Sequence, residues 1–288
     1  MRVYDKDSGL YFEIKDGTAE VSDCDKDVTE VVVPEFYEGS RITGIKKKAF
    51  LGRRQLRSVA LPEGIKRIGQ WAFSSCDALR EVSCYRREII FEPGAFKGDD
   101  GLLTIDVKGN DPMIGRLMAA HVVMEAEYLL DVMSSDTKEW LIKWDRRLSG
   151  ILDMADDEGY HLYVLCGEED LHYDYDQYLE HMRKKKSGLC MLRLLNDIGL
   201  EEGLKRRISK YLREHTKGCE SEAAWRYLVE KHGDDTGYYR LMIELDCINE
   251  DNLEAVIMDL SDRHAEAKSY LLNSFSRDKD DFFEDLFL

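Results

Sequence analysis

The sequence predicts an α+β protein in which a short solenoid with a parallel β-sheet is followed by an all-α domain. A pattern recurs with a 23-residue period between Ile45 and Val107, and from Pro112 onward the hydrophobic periodicity becomes helical. Residues 1–108 contain 18 Lys and Arg against 19 Asp and Glu, so almost all of the net charge of −17 lies beyond them. We therefore predict a cap over residues 1–30, repeats over 31–110 and an acidic helical domain over 111–288.

The first predicted element is a β-hairpin. Apolar side chains alternate with polar ones on both sides of Asp16-Gly17, a dipeptide typical of a two-residue hairpin turn. The apolar positions are Leu10, Phe12 and Ile14 before the turn and Ala19 and Val21 after it. We expect this hairpin to close the open end of the solenoid.

The repeats come next, and several positions keep the same register. The in-step positions are Ala49-Phe50, Ala72-Phe73 and Ala95-Phe96; Leu56, Leu79 and Leu102; and Val59, Val82 and Ile105. A fixed period of this length is typical of a solenoid, because no single repeat buries its apolar side alone. The alternation around Val59 and Leu61 predicts a strand, and the Ala-Phe pair is predicted to fill the opposite wall.

Within one repeat the pattern is Leu-x-x-Val-x-Leu-Pro, a loop, and Ile-Gly-x-x-Ala-Phe, as in Leu56–Pro62 and Ile68–Cys76. This pattern resembles the BspA-like leucine-rich repeat family over residues 31–108. The resemblance implies a solenoid that binds other molecules, and its members are often found on secreted or surface proteins. The longer first repeat, with residues 35–41 as an extra loop, and the altered last repeat are expected at solenoid ends.

The strand alternation also predicts a candidate binding surface. Side chains that flank the inward residues should line the outer face of the sheet. These predicted partner-binding residues are Ser58, Glu81, Ser83, Tyr85, Thr104 and Asp106, with Ala60 and Lys108 on the same face. Tyr85 is the best candidate for an anchor, because a few large side chains supply most of the binding energy of a small interface.

Basic residues form a stripe between Arg41 and Arg87. Such a stripe can bind nucleic acid, but no aromatic residues are regularly interleaved with it and the chain as a whole is acidic. We favour a solvated or intramolecular role, with the acidic domain as a nearby partner. A protein partner and nucleic acid are the alternatives, nucleic acid being the less favoured.

The helical region begins with an apolar face that extends from Met113 to Met133. Asp136-Thr137-Lys138-Glu139 has the form of a helix start. Later helices are predicted near residues 174–196, 201–215, 221–231, 236–247, 250–260 and 263–274. The basic run Arg183–Lys186 is interpreted as a solvated helix face.

The last four helices have features of a second repeat. Lys231-His232-Gly233 and Arg263-His264-Ala265 occupy similar turns in successive pairs of predicted helices. The segment Val256–Asn273 is similar to an ankyrin helix hairpin, although the ankyrin signature Thr-Pro-Leu-His is absent. Stacked helix hairpins of this kind also form binding surfaces.

Enzyme motifs give no support to a catalytic function. The chain lacks GxxxxGK[ST], HExxH, GxSxG and GxGxxG, and its seven cysteines include no Cys-x-x-Cys pair. The cluster Asp170–Asp176 is interpreted as an acidic helix start rather than a metal site. We predict no catalytic residues, no cofactor and no metal.

These observations predict a non-enzymatic protein that binds a protein partner through the sheet face, the helical domain or both. No apolar run near Met1 has the form of a signal peptide and none approaches the length of a membrane span, so we expect a cytoplasmic location. The alternatives are an exported surface adhesin and an enzyme with its site in the helical domain. For the acidic and aromatic segment 277–288 the sequence leaves two roles open, docking on its own domain and docking on a partner.

Overall fold

The computed structural model describes residues 2–161 and 175–284, with residues 262 and 277–284 described by their backbone alone. These residues form two compact units, Met1–Arg147 and Leu148–Leu288. Most of the cluster Asp170–Asp176 and the last four residues of the chain lie outside the described ranges. The domain boundaries expected near residues 30 and 110 stay predictions.

The first unit is built on two sheets. The seven-stranded sheet has the order β1-β2-β3-β6-β8-β10, with β5 paired to β6, and the four-stranded sheet has the order β11-β9-β7-β4. The strands are β1 (Arg2–Asp5), β2 (Leu10–Lys15), β3 (Thr18–Cys24), β4 (Glu30–Val32), β5 (Phe36–Tyr37), β6 (Ser40–Ile45), β7 (Ser58–Ala60), β8 (Arg67–Ile68), β9 (Glu81–Tyr85), β10 (Ile90–Phe91) and β11 (Thr104–Lys108). All pairings within the four-stranded sheet are parallel, which confirms the predicted solenoid.

The predicted hairpin is confirmed, and it joins the solenoid through its second strand. β2 and β3 pair antiparallel around Asp16 and Gly17, both of which have positive φ. β3 then pairs parallel with β6, so the hairpin continues the larger sheet. The cap is therefore part of the sheet's hydrogen-bond ladder.

The interior of the solenoid is a ladder of equivalent side chains. Phe50, Phe73 and Phe96 are fully buried and stacked, with ring centroids 5.0 and 5.2 Å apart. The His121 ring meets the last of these edge-on at 5.8 Å. Offset stacking of aromatic rings adds to the free energy of burial, so this column joins successive repeats.

Two backbone positions in each repeat adopt positive φ, and they recur in the same register as the side chains. Lys48, Trp71 and Gly94 have φ of 63°, 56° and 72°, respectively. The second series, Gly52, Ser75 and Gly98, has φ of 68°, 60° and 83°. The turns between the two sheets thus repeat in backbone conformation even where the residue type changes.

The apolar segment after the solenoid is divided into short helices rather than forming one long helix. α1 (Pro112–Ala119) and α2 (His121–Met124) are followed by a 3-10 turn, Glu127–Leu129. Glu125 has a φ of 52°, which ends α2. Gly115 lets α1 approach the last strand closely, because a Cβ there would lie 2.8 Å from the Ile105 carbonyl oxygen.

The next helix, α3 (Lys138–Asp153), starts where the sequence predicted but with a different cap. The Thr137 hydroxyl accepts from the Trp140 amide at 3.2 Å. The Asp136 carboxylate instead receives the Arg86 guanidinium, with Nη2 to Oδ1 at 2.7 Å. Threonine can cap a helix as aspartate does, which leaves Asp136 available for this ion pair.

The second unit is helical, as predicted. Its helices beyond α3 are α4 (Tyr175–Leu195), α5 (Glu202–Glu214), α6 (Ala223–His232), α7 (Thr236–Glu244), α8 (Leu253–Asp259) and α9 (Ala265–Glu284), with a 3-10 turn at Asp262–His264. α9 extends well beyond the predicted end at residue 274. Trp225, Tyr239 and Leu271 are fully buried in this unit.

One part of the basic run in α4 is buried rather than solvated, so that interpretation was wrong for Lys186. Lys186 is 2% exposed, and its Nζ contacts an Asp156 carboxylate oxygen at 2.7 Å and the Met154 carbonyl oxygen at 2.6 Å. Arg183 contacts the other oxygen of Asp156 at 2.8 Å. A buried cation requires such pairing to offset its desolvation.

The two similar turns noted in the helical sequence lie against each other. A Cβ on Gly233 would lie 2.3 Å from the His264 ring, and His264 Nδ1 lies 3.5 Å from an oxygen of Asp234. Equivalent turns that meet in this way are consistent with stacked helix hairpins. The specific likeness to ankyrin stays a prediction.

Candidate functional site

The candidate site is the outer surface of the four-stranded sheet, called here the sheet face. Its side chains form two rows across the strands, because the parallel register places equivalent residues side by side. The first row is Glu30, Ser58, Glu81 and Thr104, and the second is Val32, Ala60, Ser83 and Asp106. Neighbouring strands are about 4.8 Å apart, so each row spans about 14 Å.

The predicted outward residues all lie on the sheet face. Their neighbours in sequence, Val59, Val82, Cys84, Ile105 and Val107, are buried at 2% exposure or less. The predicted residues Ser58, Glu81, Ser83, Tyr85, Thr104 and Asp106 are half-buried or exposed. The structure therefore brings the six residues together on one surface; that they bind a partner stays a prediction.

Tyr85 is already engaged by a neighbouring side chain. Lys108 Nζ lies 2.8 Å from the Tyr85 hydroxyl oxygen and 4.4 Å from the centre of its ring. This contact raises the pKa of Lys108. Tyr85 is thus held in place by its neighbour on the next strand, which lowers the entropy cost of using it as an anchor.

Val32 belongs to the sheet face and was missed by the sequence analysis. It is 74% exposed and pairs in register with Ala60. Because the first repeat is longer, Val32 precedes Ala60 by 28 residues, whereas Ala60 precedes Ser83 by 23. Val31 also precedes Val59 by 28 residues, so applying this longer spacing to the first repeat would have identified Val32 from the sequence.

Much of the basic stripe is paired with acids of the first unit itself. Arg41 pairs with Glu35, Lys46 with Glu13, Arg53 with Asp23, Arg54 with Asp77, Arg67 with Glu92, Arg86 with Asp136 and Arg87 with Glu63. These contacts lower the pKa of several of the carboxyls, including Glu63, for which the hydrogen bond from Arg87 is the main cause. The intramolecular interpretation applies to these residues, and their partners lie within residues 13–136.

The carboxylates of the sheet face differ from these paired acids. Within residues 2–161 and 175–284, Glu30, Glu81 and Asp106 form no ion pair within 4.0 Å. Arg80, at the start of β9, donates instead to the carbonyl oxygens of Asp77 and Leu79 at 3.0 Å. The carboxylates of Glu30, Glu81 and Asp106 are therefore available to cationic groups of a binding partner.

Four buried cysteines are poorly suited to nucleophilic catalysis. Burial raises the pKa of Cys24 to about 11 and those of Cys76, Cys84 and Cys247 to about 12. The thiolate is the reactive form, so these thiols are unreactive at neutral pH. Over the same described ranges, no group of three His, Cys, Asp or Glu side chains is placed to hold a metal ion.

An open recess of about 510 Å³ lies beside the hairpin cap. Several of its polar side chains pair with one another: Asp23 pairs with both Arg2 and Arg53 at 2.7 Å, and the Tyr4 hydroxyl donates to Asp25 at 2.7 Å. The Arg2 guanidinium also lies 4.7 Å from the Tyr11 ring centre. These pairs stabilise the hairpin, and Lys26 also lines the recess.

None of the helices in the described ranges combines the length and the apolar character needed to cross a bilayer.

Comparison with known proteins gives a match for the repeats. Residues 24–121 match the family model "BspA type Leucine rich repeat region" in six copies. The matched segment extends beyond the predicted 31–108 on both sides, from the last residue of β3 to the first residue of α2. No curated protein matches the chain significantly.

Several solved structures are similar to the repeats. A leucine-rich repeat protein of T. pallidum is 25% identical over 28% of this chain and 43% of its own, with a TM-score of 0.23. A leucine-rich cell surface protein from Faecalibacterium prausnitzii is 21% identical over 37% and 31% of the two chains, with a TM-score of 0.32. A leucine-rich repeat protein from Bacteroides ovatus is 23% identical over 36% and 28%, with a TM-score of 0.28.

This chain thus spans less than half the length of each of those three proteins. The family match, the 23-residue register and the parallel sheet agree on the same segment. Residues 24–121, about a third of the chain, thus match the BspA type leucine-rich repeat region.

Proposed function

We propose that this protein is a non-enzymatic interaction protein that recognises a protein partner through the sheet face. The observation that carries the proposal is the continuous surface of two rows of outward side chains on a parallel sheet. A solenoid presents such a surface because its repeats are fixed to one another. Ser58, Glu81, Ser83, Thr104 and Asp106 supply polar contacts, and Tyr85 supplies a large anchor.

The arrangement of the first unit supports this choice of surface. α1 packs close to the last strand of the sheet at Gly115, and the hairpin continues the larger sheet beyond the first repeat. Side chains on the other surfaces form ion pairs with one another, whereas those of the sheet face do so less. The sheet face therefore combines the carboxylates of Glu81 and Asp106, which form no ion pair among the described residues, with the exposed apolar side chain of Val32.

The experiment is affinity capture from the native lysate with the full-length protein, followed by purification of the captured protein and calorimetric measurement of Kd. Tyr85→Ala and Asp106→Arg should each weaken binding about tenfold or more, since central anchors dominate small interfaces. The matched controls are Tyr128→Ala and Asp100→Arg, at exposed positions away from the sheet face. Unchanged affinity of both face variants would overturn the proposal.

The cytoplasmic location expected from the sequence stays a prediction, as does the absence of catalysis. Cell fractionation with an antibody against the chain distinguishes a cytoplasmic interaction protein from a surface adhesin. Recovery with the envelope after removal of soluble protein would favour the adhesin.

A further inference from the structure

We infer that the partner presents a cationic segment of its polypeptide to the sheet face, with an apolar side chain beside its Lys or Arg residues. This inference rests on the proposed function and names the chemistry of the partner. It is carried by charge and by apolar exposure together: three carboxylates without ion pairs, Glu30, Glu81 and Asp106, share the surface with Val32 and Tyr85.

The acids are spaced for a series of cations rather than for one ion. Glu30 and Glu81 lie two strands apart in the first row, about 9–10 Å between backbones. Asp106 lies on the strand next to that of Glu81 and in the second row, two residues further along the strand, so the two backbones are about 8 Å apart. A calcium ion needs its oxygens at about 2.3–2.6 Å, so these carboxylates suit separate ammonium or guanidinium groups instead.

The small side chains between the acids allow a polypeptide to approach the sheet. Ser58 and Ala60 on β7, with Ser83 on β9, separate the charged and apolar positions of the two rows. No long side chain blocks the centre of the surface at these three positions. A segment can therefore reach Val32 on one side and Tyr85 on the other.

The basic residues nearest the face leave its carboxylates available. Lys108 donates to the Tyr85 hydroxyl, with the charge of Asp106 a lesser cause of the raised pKa of Lys108, and Arg86 donates to Asp136 and to the carbonyl oxygen of Met133. Arg57 precedes the first row and, among the described residues, forms no ion pair with Glu30 or Glu81. With Glu30, Glu81 and Asp106 against Lys108, the charged residues of the face carry a net negative charge.

The test uses the full-length protein and a fluorescein-labelled 14-residue peptide in which lysine alternates with leucine and serine. Anisotropy titrations are carried out at 50 and 150 mM salt, beside a peptide with glutamate in place of lysine. The face variant is Glu30→Gln/Glu81→Gln/Asp106→Asn. The control variant, Asp7→Asn/Glu38→Gln/Glu88→Gln, removes the same charge at exposed positions elsewhere in the first unit.

We expect the lysine peptide to bind and the glutamate peptide not to bind. Each exposed ion pair contributes modestly to affinity, so loss of three should weaken binding about tenfold in the face variant. The control variant should bind the lysine peptide with a Kd within twofold of that of the unmodified protein. Adding Val32→Ser to the face variant should weaken peptide binding further. This pattern would support the inference.

Two results would overturn it. Equal weakening in the face and control variants would mean general attraction to an acidic protein, and no binding of the lysine peptide would mean that the face does not recognise cations. The proposed function is judged separately with the captured partner. If Tyr85→Ala weakens that complex but the triple face variant does not, the proposal that the sheet face binds a protein partner is supported. The inference that the partner segment is cationic is then overturned.

Discussion

At the residue scale, His121 is a buried imidazole at the end of the aromatic column. Its Nδ1–H donates to the Met118 carbonyl oxygen at 2.9 Å, and its ring meets Phe96 edge-on. Burial lowers the pKa of His121 to about 4. The folded state therefore holds this side chain neutral under conditions in which an unfolded chain would protonate it near pH 6.5.

The predicted consequence is acid sensitivity. Because the folded pKa is depressed, the stability associated with neutral His121 is present above pH 6.5 and is lost as the pH falls toward 4. His121→Phe should flatten the dependence of unfolding free energy on pH in this window, where one proton contributes up to about 1.4 kcal/mol per pH unit. Urea unfolding between pH 4 and 7 measures this slope.

The matched control for this experiment is His161→Phe, because His161 is exposed. An unchanged acid slope in His121→Phe would contradict the assignment of this sensitivity to the buried ring.

Asp99 has the opposite dependence. One of its carboxyl oxygens accepts from the Cys76 amide at 2.7 Å, while the other is buried and lacks a hydrogen-bond partner among the described residues. Burial raises the pKa of Asp99 to about 8. Since the folded pKa is raised, the favourable contribution is complete below about pH 4 and is lost as the pH rises through 8.

Asp99→Asn should therefore be more stable than the unmodified protein at pH 8, with a smaller difference at pH 5. The amide keeps the acceptor for Cys76 and removes the titrating proton. Thermal unfolding at both pH values measures the difference, with Asp100→Asn as the exposed control. If stability changed between the two pH values by the same amount in the variant and in the unmodified protein, Asp99 would be excluded as the source of the pH dependence.

At the scale of the element, the turn of each repeat carries a backbone constraint. Position 75 has a φ of 60° with serine, whereas its equivalents 52 and 98 are glycines. Left-handed backbone costs an L-residue roughly 1–2 kcal/mol, part of which is offset because glycine loses more entropy on folding. Ser75 is exposed, so its side chain contributes little packing.

Ser75→Gly should consequently stabilise the protein by about 0.5–1 kcal/mol. Gln55→Gly serves as the control, because Gln55 is exposed and its φ is not positive. That substitution should destabilise by a similar amount through chain entropy alone. The midpoint of urea unfolding measures both changes in stability. Stabilisation of both variants, or of neither, would contradict the assignment of the Ser75→Gly effect to the left-handed backbone at this turn.

The sequence reveals the repeats more clearly than it reveals their turns. Phe50, Phe73 and Phe96 recur because only a flat ring of that size fills the column, so residue identity records the structure. One of the two left-handed turn positions in each repeat is occupied by Lys48, Trp71 and Gly94, and no residue type is shared among these three. Backbone geometry is preserved there by the hydrogen bonds of neighbouring repeats, which sequence spacing alone does not show.

Short elements were the ones missed. β8 and β10 contain two residues each, too few to show alternation, although they extend the larger sheet. The break between α1 and α2 was also missed, because apolar residues continue through it at helical spacing. The candidate site was predictable in six of its side chains, since strand alternation decides which way they point; the engagement of Tyr85 by Lys108 required the structure.

At the scale of the whole molecule, charge is unevenly distributed between the two units. Most of the net charge of −17 belongs to residues beyond 108, whereas acidic and basic residues nearly balance within residues 1–108. Repulsion within an acidic unit destabilises its compact state, and salt screens that repulsion. Stability of the second unit should therefore depend on ionic strength.

We expect raising NaCl from 10 to 150 mM to increase the unfolding midpoint of the second unit by about 2–4 °C, which corresponds to roughly 1 kcal/mol for a domain of this size. Trp225 is the tryptophan of this unit and is fully buried, so its fluorescence in a Trp71→Phe/Trp140→Phe/Trp144→Phe variant follows the transition. Circular dichroism of the unmodified protein checks that variant's stability. A midpoint that falls with salt would show that attractive pairs such as Lys186–Asp156 dominate instead.

Because of the 23-residue register, the solenoid can be shortened or lengthened by one complete repeat at a time. Ile68 and Phe91 are equivalent and pair with neighbouring strands in the same way. Removal of residues 69–91 would join two equivalent points and bring Phe50 beside Phe96, with both ends of the solenoid unchanged. Recombination at such points would let a lineage lengthen or shorten its binding surface one strand at a time, while selection acts on the end structures and the surface separately.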